Sequence, residues 1–363
     1  MNKNLIVFMP SIEGGGVEKN LFLVCNYLVK KISNLKVITI SNKFSNKFDK
    51  SVEIISLKSR QWDRFSRKVK YFLALILLIK EILKNKKSTV FSFQANIYCI
   101  LVCKIFSVKV IARSNTAPIG WSRNFFKRLI FKVVLNLSDK VLVNSLEFKK
   151  ELKKELNINA VCIYNPLDKD QIKKNSKKKS INIFKSSKKL KILNIGRFTE
   201  QKDQLTFLKS LNFLKDKINF EARIIGRGEL KNRLQKYIDT NELKSYVKIL
   251  NFKTNPYPFI KQTDVFVLSS RYEGLPNVIL ESLVLRKFVI SSRCSTGPKE
   301  ILLNGKGGLL FSVGNYMELA SKIIYFYNNK KKSKLMLAKA YYSLDRFDFK
   351  LNLEKYLKIV HFK

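Results

Sequence analysis

The chain has 363 residues, 46% of them hydrophobic and 12% aromatic, and its 71 Lys and Arg against 27 Asp and Glu give a formal charge of +44. That length exceeds one hydrophobic core and predicts two domains, while the ordinary apolar content excludes a largely disordered chain. The longest apolar run, Phe72 to Ile79, falls far short of the ~20 residues that span a bilayer, and five scattered cysteines with one histidine, His361, form neither a disulfide framework nor a metal-ligand grouping.

The opening NLIVFMP reads as a first strand rather than a secretory signal, which places the protein in the cytoplasm. It runs into SIEGGGVEKN, where Gly14, Gly15 and Gly16 lead into a helix. Glycine lets a backbone approach a ligand closely, but such a turn is as often merely tight, and both readings stay open. KVITI, STVFSF, KVIARS, KVLVNS and AVCIY follow as short buried strands with helical periodicity between them, which predicts a parallel α/β domain over residues 1–165. Within it, SRQWDRFSRKVKYFLALILLIKEILKNKK interleaves Trp62, Phe65, Tyr71 and Phe72 with basic residues. Such a segment lies on an anionic membrane surface or forms a core helix with a basic solvent face. After YNPLD the chain turns rich in lysine and serine, and residues 166–189 read as a linker.

A second strand series, KLKILNIG, FEARIIG, VKILNF, TDVFVLSS, KFVISS and GGLLFS, predicts a parallel domain over residues 190–340. Residues 341–363 end in an amphipathic helix, FKLNLEKYLKIVHFK, free to pack on either domain or back on the first. Ligands of parallel sheets collect at the carboxyl ends of strands, where helix N-termini offer N–H groups to anions. NIGRFTEQKDQ places Arg197 and Lys202 on such a turn, either a clamp for a diphosphate or a solvated basic turn. IIGRGELKNRL carries Gly226 and Gly228 at a second strand end, where a structural turn suffices. SSRYEGLPNVILESL reads as strand, turn and helix: Pro276 suits the first helical turn, Glu273 precedes it, and Glu281 falls inside the helix. A carboxylate in the helix accepts the hydroxyls of a ribose, as in dinucleotide sites, while the N–H groups of the turn face phosphate. STGPKEIL then adds Glu300 after a Gly-Pro turn.

In this order, GRFTEQKD, GRGEL, SSRYEGLPNVILES and STGPKEIL, with GGGVEKN far upstream, resemble the retaining glycosyltransferases of family 4 over nearly the whole chain. The resemblance implies a GT-B fold, two Rossmann-like parallel-sheet domains of the α/β class facing each other across a cleft. It also implies retaining transfer of a hexosyl group from a UDP- or GDP-sugar, with no metal and no further cofactor. Arg197 and Lys202 would bind the diphosphate and neutralise the charge that grows on it, and Glu281 would hold the ribose. Glu273 would meet the donor sugar or its phosphate, so that Glu273, Arg197 and Lys202 are the catalytic set. Gly196, Gly274, Leu275 and Phe252 complete the donor site, Phe252 where the family contacts the base, and Gly15 and Gly16 would face the phosphates from the other domain. Asn115 in ARSNTAP matches a SERN segment of some relatives and is a candidate for the acceptor or sugar site, with Arg113 where an acid would stand. Two further departures are the lack of any histidine before His361 and Arg286 and Phe288 where the family commonly has Gly and Pro.

The charge of +44 asks for a polyanion, although abundant lysine, asparagine and isoleucine also fit an AT-rich coding sequence. In the resembled family the acceptor is often a lipid-linked glycan, which implies a role in cell-surface polysaccharide synthesis, peripheral on the inner face of the bacterial cytoplasmic membrane. A non-catalytic sugar-nucleotide-binding subunit and a basic nucleic-acid-binding protein stand as alternatives; no nucleic-acid module is recognisable, so no nucleic-acid partner is expected.

Overall fold

The computed structural model describes residues 4–57, 62, 65–115, 125–186 and 188–361. The chain divides into two compact units, residues 1–166 with 349–363, and residues 167–348. In the first unit, seven strands, β1 (Asn4–Phe8), β2 (Asn34–Ile38), β3 (Glu53–Ile55), β4 (Thr89–Ser92), β5 (Lys109–Arg113), β6 (Lys140–Val143) and β7 (Ala160–Cys162), form a parallel sheet in the order 3-2-1-4-5-6-7. Its helices are α1 (Gly16–Leu28), α2 (Arg67–Lys84), α3 (Asn96–Ile105), α4 (Phe125–Asn136) and α5 (Leu146–Leu156). Alternate residues of β1 serve opposite cores: Ile6 and Phe8 pack with α2, α3, α4 and α5, and Leu5 and Val7 with α1. Burial on both faces is why these strands read as continuous apolar runs. Cys99 and Cys103 lie buried in the first of these cores.

The second unit holds α6 (Lys169–Ser176), β8 (Leu190–Ile195), α7 (Gln204–Leu214), β9 (Phe220–Gly226), α8 (Lys231–Thr240), β10 (Val247–Asn251), α9 (Tyr257–Lys261) and β11 (Val265–Leu268). It continues with α10 (Asn277–Val284), β12 (Phe288–Ser292), α11 (Pro298–Ile301), β13 (Leu309–Phe311), α12 (Tyr316–Asn328) and α13 (Lys330–Tyr342). The six strands run parallel in the order 10-9-8-11-12-13. Strand order reverses beside β1 in one sheet and beside β8 in the other, so each unit has a switch point of the doubly wound kind.

The expectation of a linker over 166–189 is corrected by the structure. Asp168 caps α6 by accepting the Gln171 N–H at 2.8 Å, and Ile172, Ile183 and Phe184 are buried. Glu221 on β9 accepts the N–H groups of Lys185 and Ser186 at 2.9 and 2.8 Å, and Arg223 donates to the Ile183 carbonyl at 2.5 Å. The segment is therefore a strapped part of the second unit. That unit also extends past residue 340 to Asp348, and the last helix, α14 (Phe349–Val360), belongs to the first unit, with Leu353, Tyr356 and Val360 in the core against α1. Among the described residues no helix is long and apolar enough to cross a membrane.

Candidate functional site

At the switch point of the second unit, the turns after β8 and β11 are joined to each other. Arg271 donates its N–H to the Gln201 carbonyl at 2.8 Å, Gln201 donates to the Tyr272 carbonyl at 3.0 Å, and Ser269 donates to the Lys202 carbonyl at 3.0 Å. Two ion pairs follow the same seam. Lys202 Nζ lies 2.5 Å from Glu273 Oε1, both largely buried, and Arg271 Nε lies 3.2 Å from Asp203 Oδ2. Asp203 in turn caps α7 through the Thr206 N–H and hydroxyl at 3.3 and 2.9 Å. Hydrogen-bonded pairing of this kind offsets the cost of burying charge and holds both side chains in one geometry.

The neighbouring turns lean on these two. A Cβ added to Gly226, at the end of β9, would stand 1.9 Å from the Gly196 carbonyl, so glycine alone lets the turn after β9 press on the turn after β8. Gly297 sits at φ +80°, and a Cβ there would lie 2.0 Å from the Gly274 carbonyl. Thr296 closes the same contact by donating to the Glu273 carbonyl at 2.6 Å. The turn after β12 thereby fixes the EGLP turn, which explains why Glu273, Gly274 and Leu275 are all buried. Cys294, on that same turn, has its thiol pushed up to about 12, chiefly by burial and further by the Glu273 carboxylate. It is an inert neighbour of the site rather than a nucleophile.

Glu281 is the fifth residue of α10, 6% exposed, and accepts the Tyr257 hydroxyl at 3.3 Å. Arg197 is exposed, and among the described residues its guanidinium has no hydrogen bond or ion pair. Phe252 follows β10, 42% exposed, with the Arg227 guanidinium 4.5 Å over its ring. The strand ends of the second unit thus bring together Lys202 and Glu273, with Gly196 and Gly274 held by neighbouring turns and Arg197 exposed on the same turn as Lys202. Helix α10 starts at Asn277 and has Pro276 as its N-cap, one residue outside the predicted first turn. Arg286, where the resembled family commonly has glycine, sits at φ +53° with its guanidinium 4.1 Å over Tyr341. The left-handed backbone persists there without the residue that adopts it most readily.

In the first unit, Gly15 is the N-cap and Gly16 the first residue of α1, directly after β1. The Glu18 carboxylate folds over this turn, accepting the Glu13 N–H at 3.3 Å and standing 2.8 Å from where a Gly15 Cβ would be. Asn115 is not an open polar group. Its amide donates to the Phe93 carbonyl at 2.9 Å, and its oxygen accepts from Arg113. Arg113 is 1% exposed, stacked 5.1 Å over Phe93, and donates also to Tyr356 at 3.0 Å and Asn165 at 2.8 Å. A groove of about 440 Å³ in this unit, lined by Asp139, Lys140, Asn159 and Ala160, lies where β6 and β7 begin, away from the strand ends that collect ligands.

Sequence reading missed Tyr257, Thr296, Asp203 and Tyr356. Each acts through a partner distant in the chain, and only the strand, turn and helix order around Tyr257 and Thr296 hinted at their proximity to the acids.

Residues 173–342 match the family Glycosyl transferases group 1. An uncharacterized glycosyltransferase of Methanocaldococcus jannaschii is 36% identical over 56% of this chain and 53% of its own length, so the chain spans only about half of that relative. The GalNAc-alpha-(1->4)-GalNAc-alpha-(1->3)-diNAcBac-PP-undecaprenol alpha-1,4-N-acetyl-D-galactosaminyltransferase of Campylobacter jejuni is 27% identical over 97% of this chain and 96% of its own. Among solved structures, Anabaena HepE in complex with UDP-glucose superposes with a TM-score of 0.78 over 99% of both chains at 16% identity. Residues 173–342 are thus similar to the group 1 glycosyl transferases, and the two parallel α/β sheets of the chain follow the GT-B fold.

Proposed function

We propose that the protein transfers a sugar from a UDP- or GDP-sugar to a glycan on a lipid carrier, with retention of anomeric configuration, in the synthesis of a bacterial surface polysaccharide. The observation that carries this reading is the seam at the switch point of the second unit. There an exposed, uncommitted Arg197 shares its turn with a Lys202 held 2.5 Å from Glu273. Fixed cations in a partly desolvated site stabilise a leaving diphosphate without reorganising as the bond breaks. Glu273 holds the Lys202 ammonium in place and is itself within reach of the donor sugar or its phosphate. Gly196 and the N–H groups of Gly274 and Leu275 meet the phosphates, and Glu281 accepts the ribose hydroxyls with Tyr257 fixing its orientation. The base stacks on Phe252.

Retention follows from attack on the face the diphosphate leaves, with a phosphate oxygen taking the acceptor proton, so no separate side-chain base is required. The likeness to a transferase whose name specifies an undecaprenol-linked glycan supports a lipid-linked acceptor. The fold shared with a protein solved with UDP-glucose supports a nucleotide-sugar donor. A lipid carrier would place the protein at the inner face of the cytoplasmic membrane, in line with its charge of +44.

The experiment is a thermal-shift screen of the purified chain against uridine-, guanosine- and adenosine-diphosphate sugars, followed by release of nucleoside diphosphate with an undecaprenyl-diphosphate glycan. One donor should raise the melting temperature of the parent and not of Glu281→Ala, and the product should keep the donor's anomeric configuration. Failure of every nucleotide sugar to bind refutes the reading, and an inverted product refutes its retaining step.

A further inference from the structure

Three helices of the first unit turn apolar side chains outward as well as inward. α2, α3 and α4 pack side by side on one face of the sheet and bury Leu78, Cys103 and Leu135 against it. On their outer side Phe72 of α2 is 65% exposed, Ile105 of α3 75% and Phe126 of α4 73%. Leu129, Ile130 and Val133 continue the exposed row of α4 at helical spacing, so this helix has two apolar faces where a soluble layer needs one. Single exposed apolar residues are ordinary, but a row of four along one helix, with exposed apolar residues on the two helices next to it, is not.

The charge around the stripe has one sign. Between Phe65 and Leu137 the sequence has 14 Lys and Arg, of which Arg113 is buried, and a single acid, Glu81. Glu81 is buried and held by Lys36 at 2.9 Å and Lys84 at 2.5 Å. Among the described residues, Asp139, Glu155 and Glu13, from neighbouring elements, pair with Lys104, Arg128 and Arg67. We propose that the outer face of α2, α3 and α4 docks the protein on an anionic phospholipid bilayer, with Ile105, Phe126 and Ile130 entering the interface and the surrounding cations meeting lipid phosphate. A second copy of the chain suits this face poorly, because apposing two such surfaces brings like charges together. The inference deepens the reading of a lipid-linked acceptor by naming the surface that meets the lipid.

The test is sedimentation of the full chain with phosphatidylcholine vesicles prepared with and without phosphatidylglycerol. Binding should require the anionic lipid and weaken as salt rises. The double variant Ile105→Glu with Ile130→Glu, at exposed positions, should partition roughly tenfold less or worse, while its melting temperature and its shift with nucleotide sugar match the parent. Independently, Ile130→Trp should gain a blue-shifted emission on anionic vesicles relative to the parent. Unchanged partition of the double variant overturns the proposal, as does equal binding to neutral vesicles. A concentration-dependent dimer that the double variant abolishes, with no blue shift in Ile130→Trp, would give the face to a second copy instead. Loss of the nucleotide-sugar shift in the parent would strike the donor chemistry and leave this proposal standing.

Discussion

Glu281 and Tyr257 meet through one hydroxyl, 3.3 Å from a carboxylate that is 6% exposed. If that hydroxyl orients the carboxylate toward a ribose, Tyr257→Phe keeps the packing and removes the orientation. The expected loss is about 1 kcal/mol of donor binding, or roughly fivefold in Kd, with little change in melting temperature; calorimetric titration of the variant checks it, and an unchanged Kd would sever Tyr257 from the site. Arg113 carries a structural counterpart. Its guanidinium is buried on Asn115, Asn165 and Tyr356, with no carboxylate among its hydrogen-bond partners in the described residues. Arg113→Met fills the volume but removes three buried or part-buried hydrogen bonds, to Asn115, Asn165 and Tyr356, so it should destabilise the first unit by about 2–4 kcal/mol, read as a lower midpoint in urea. A loss within experimental error would mean water replaces the guanidinium. The two residues also mark what was legible. Glu281 stood out because its turn and helix are local, whereas the role of Arg113 depends on a tyrosine 243 positions away.

Helix α5 shows how a charge pattern becomes a titration. Glu147, Glu151 and Glu155 recur every fourth residue, so they share one face of the helix. Arg128 pairs with Glu155 at 2.5 Å, and the Glu151 carboxyl is pushed up to about 7 by burial, then by Glu155 and Glu147, with Arg128 opposing. A carboxyl whose folded value is raised holds its proton more tightly in the native state. Stability is therefore highest below its unfolded value near 4.5, falls as pH rises, and stays lowered above about 7. Glu151→Gln should raise stability at pH 8 by about 1 kcal/mol, well below the full conversion of the shift because solvent reaches the half-buried side chain, and should change nothing at pH 4. Melting curves at the two values decide it: an equal gain at both would point to packing rather than charge. At this scale the sequence misled at 166–189, where lysine and serine looked like a linker. The straps that bind the segment, Glu221 and Arg223, lie on a strand about 35 to 40 positions further on and leave no local trace.

For the whole molecule, the alternation of apolar runs and helical periodicity was enough to read two parallel domains, because strands buried on both faces announce themselves. Only β3, three residues at a sheet edge, escaped notice, being too short and too exposed to form a run. Strand order was not legible, since nothing in a strand's sequence records its neighbour. Nor was the host of the last helix, whose amphipathic stripe fits any complementary surface. The structure gives that host a consequence for folding. The first unit is discontinuous, residues 1–166 plus 349–363, while the second is continuous from 167 to 348 with a core of its own. A chain ending at Asp348 would lose Leu353, Tyr356 and Val360, each at most 1% exposed, together with the hydrogen bond from Arg113 to Tyr356. Large buried side chains are worth about 2–5 kcal/mol apiece, so their joint removal consumes most of a domain's usual margin of about 5–15 kcal/mol. The truncated chain should therefore melt with the transition of the second unit alone. Residues 167–348 expressed by themselves should unfold cooperatively at that same temperature, as followed by circular dichroism and calorimetry. A truncated chain that kept both transitions would show that the first unit closes its core without α14, and the last helix would then be an accessory to the fold rather than a part of it.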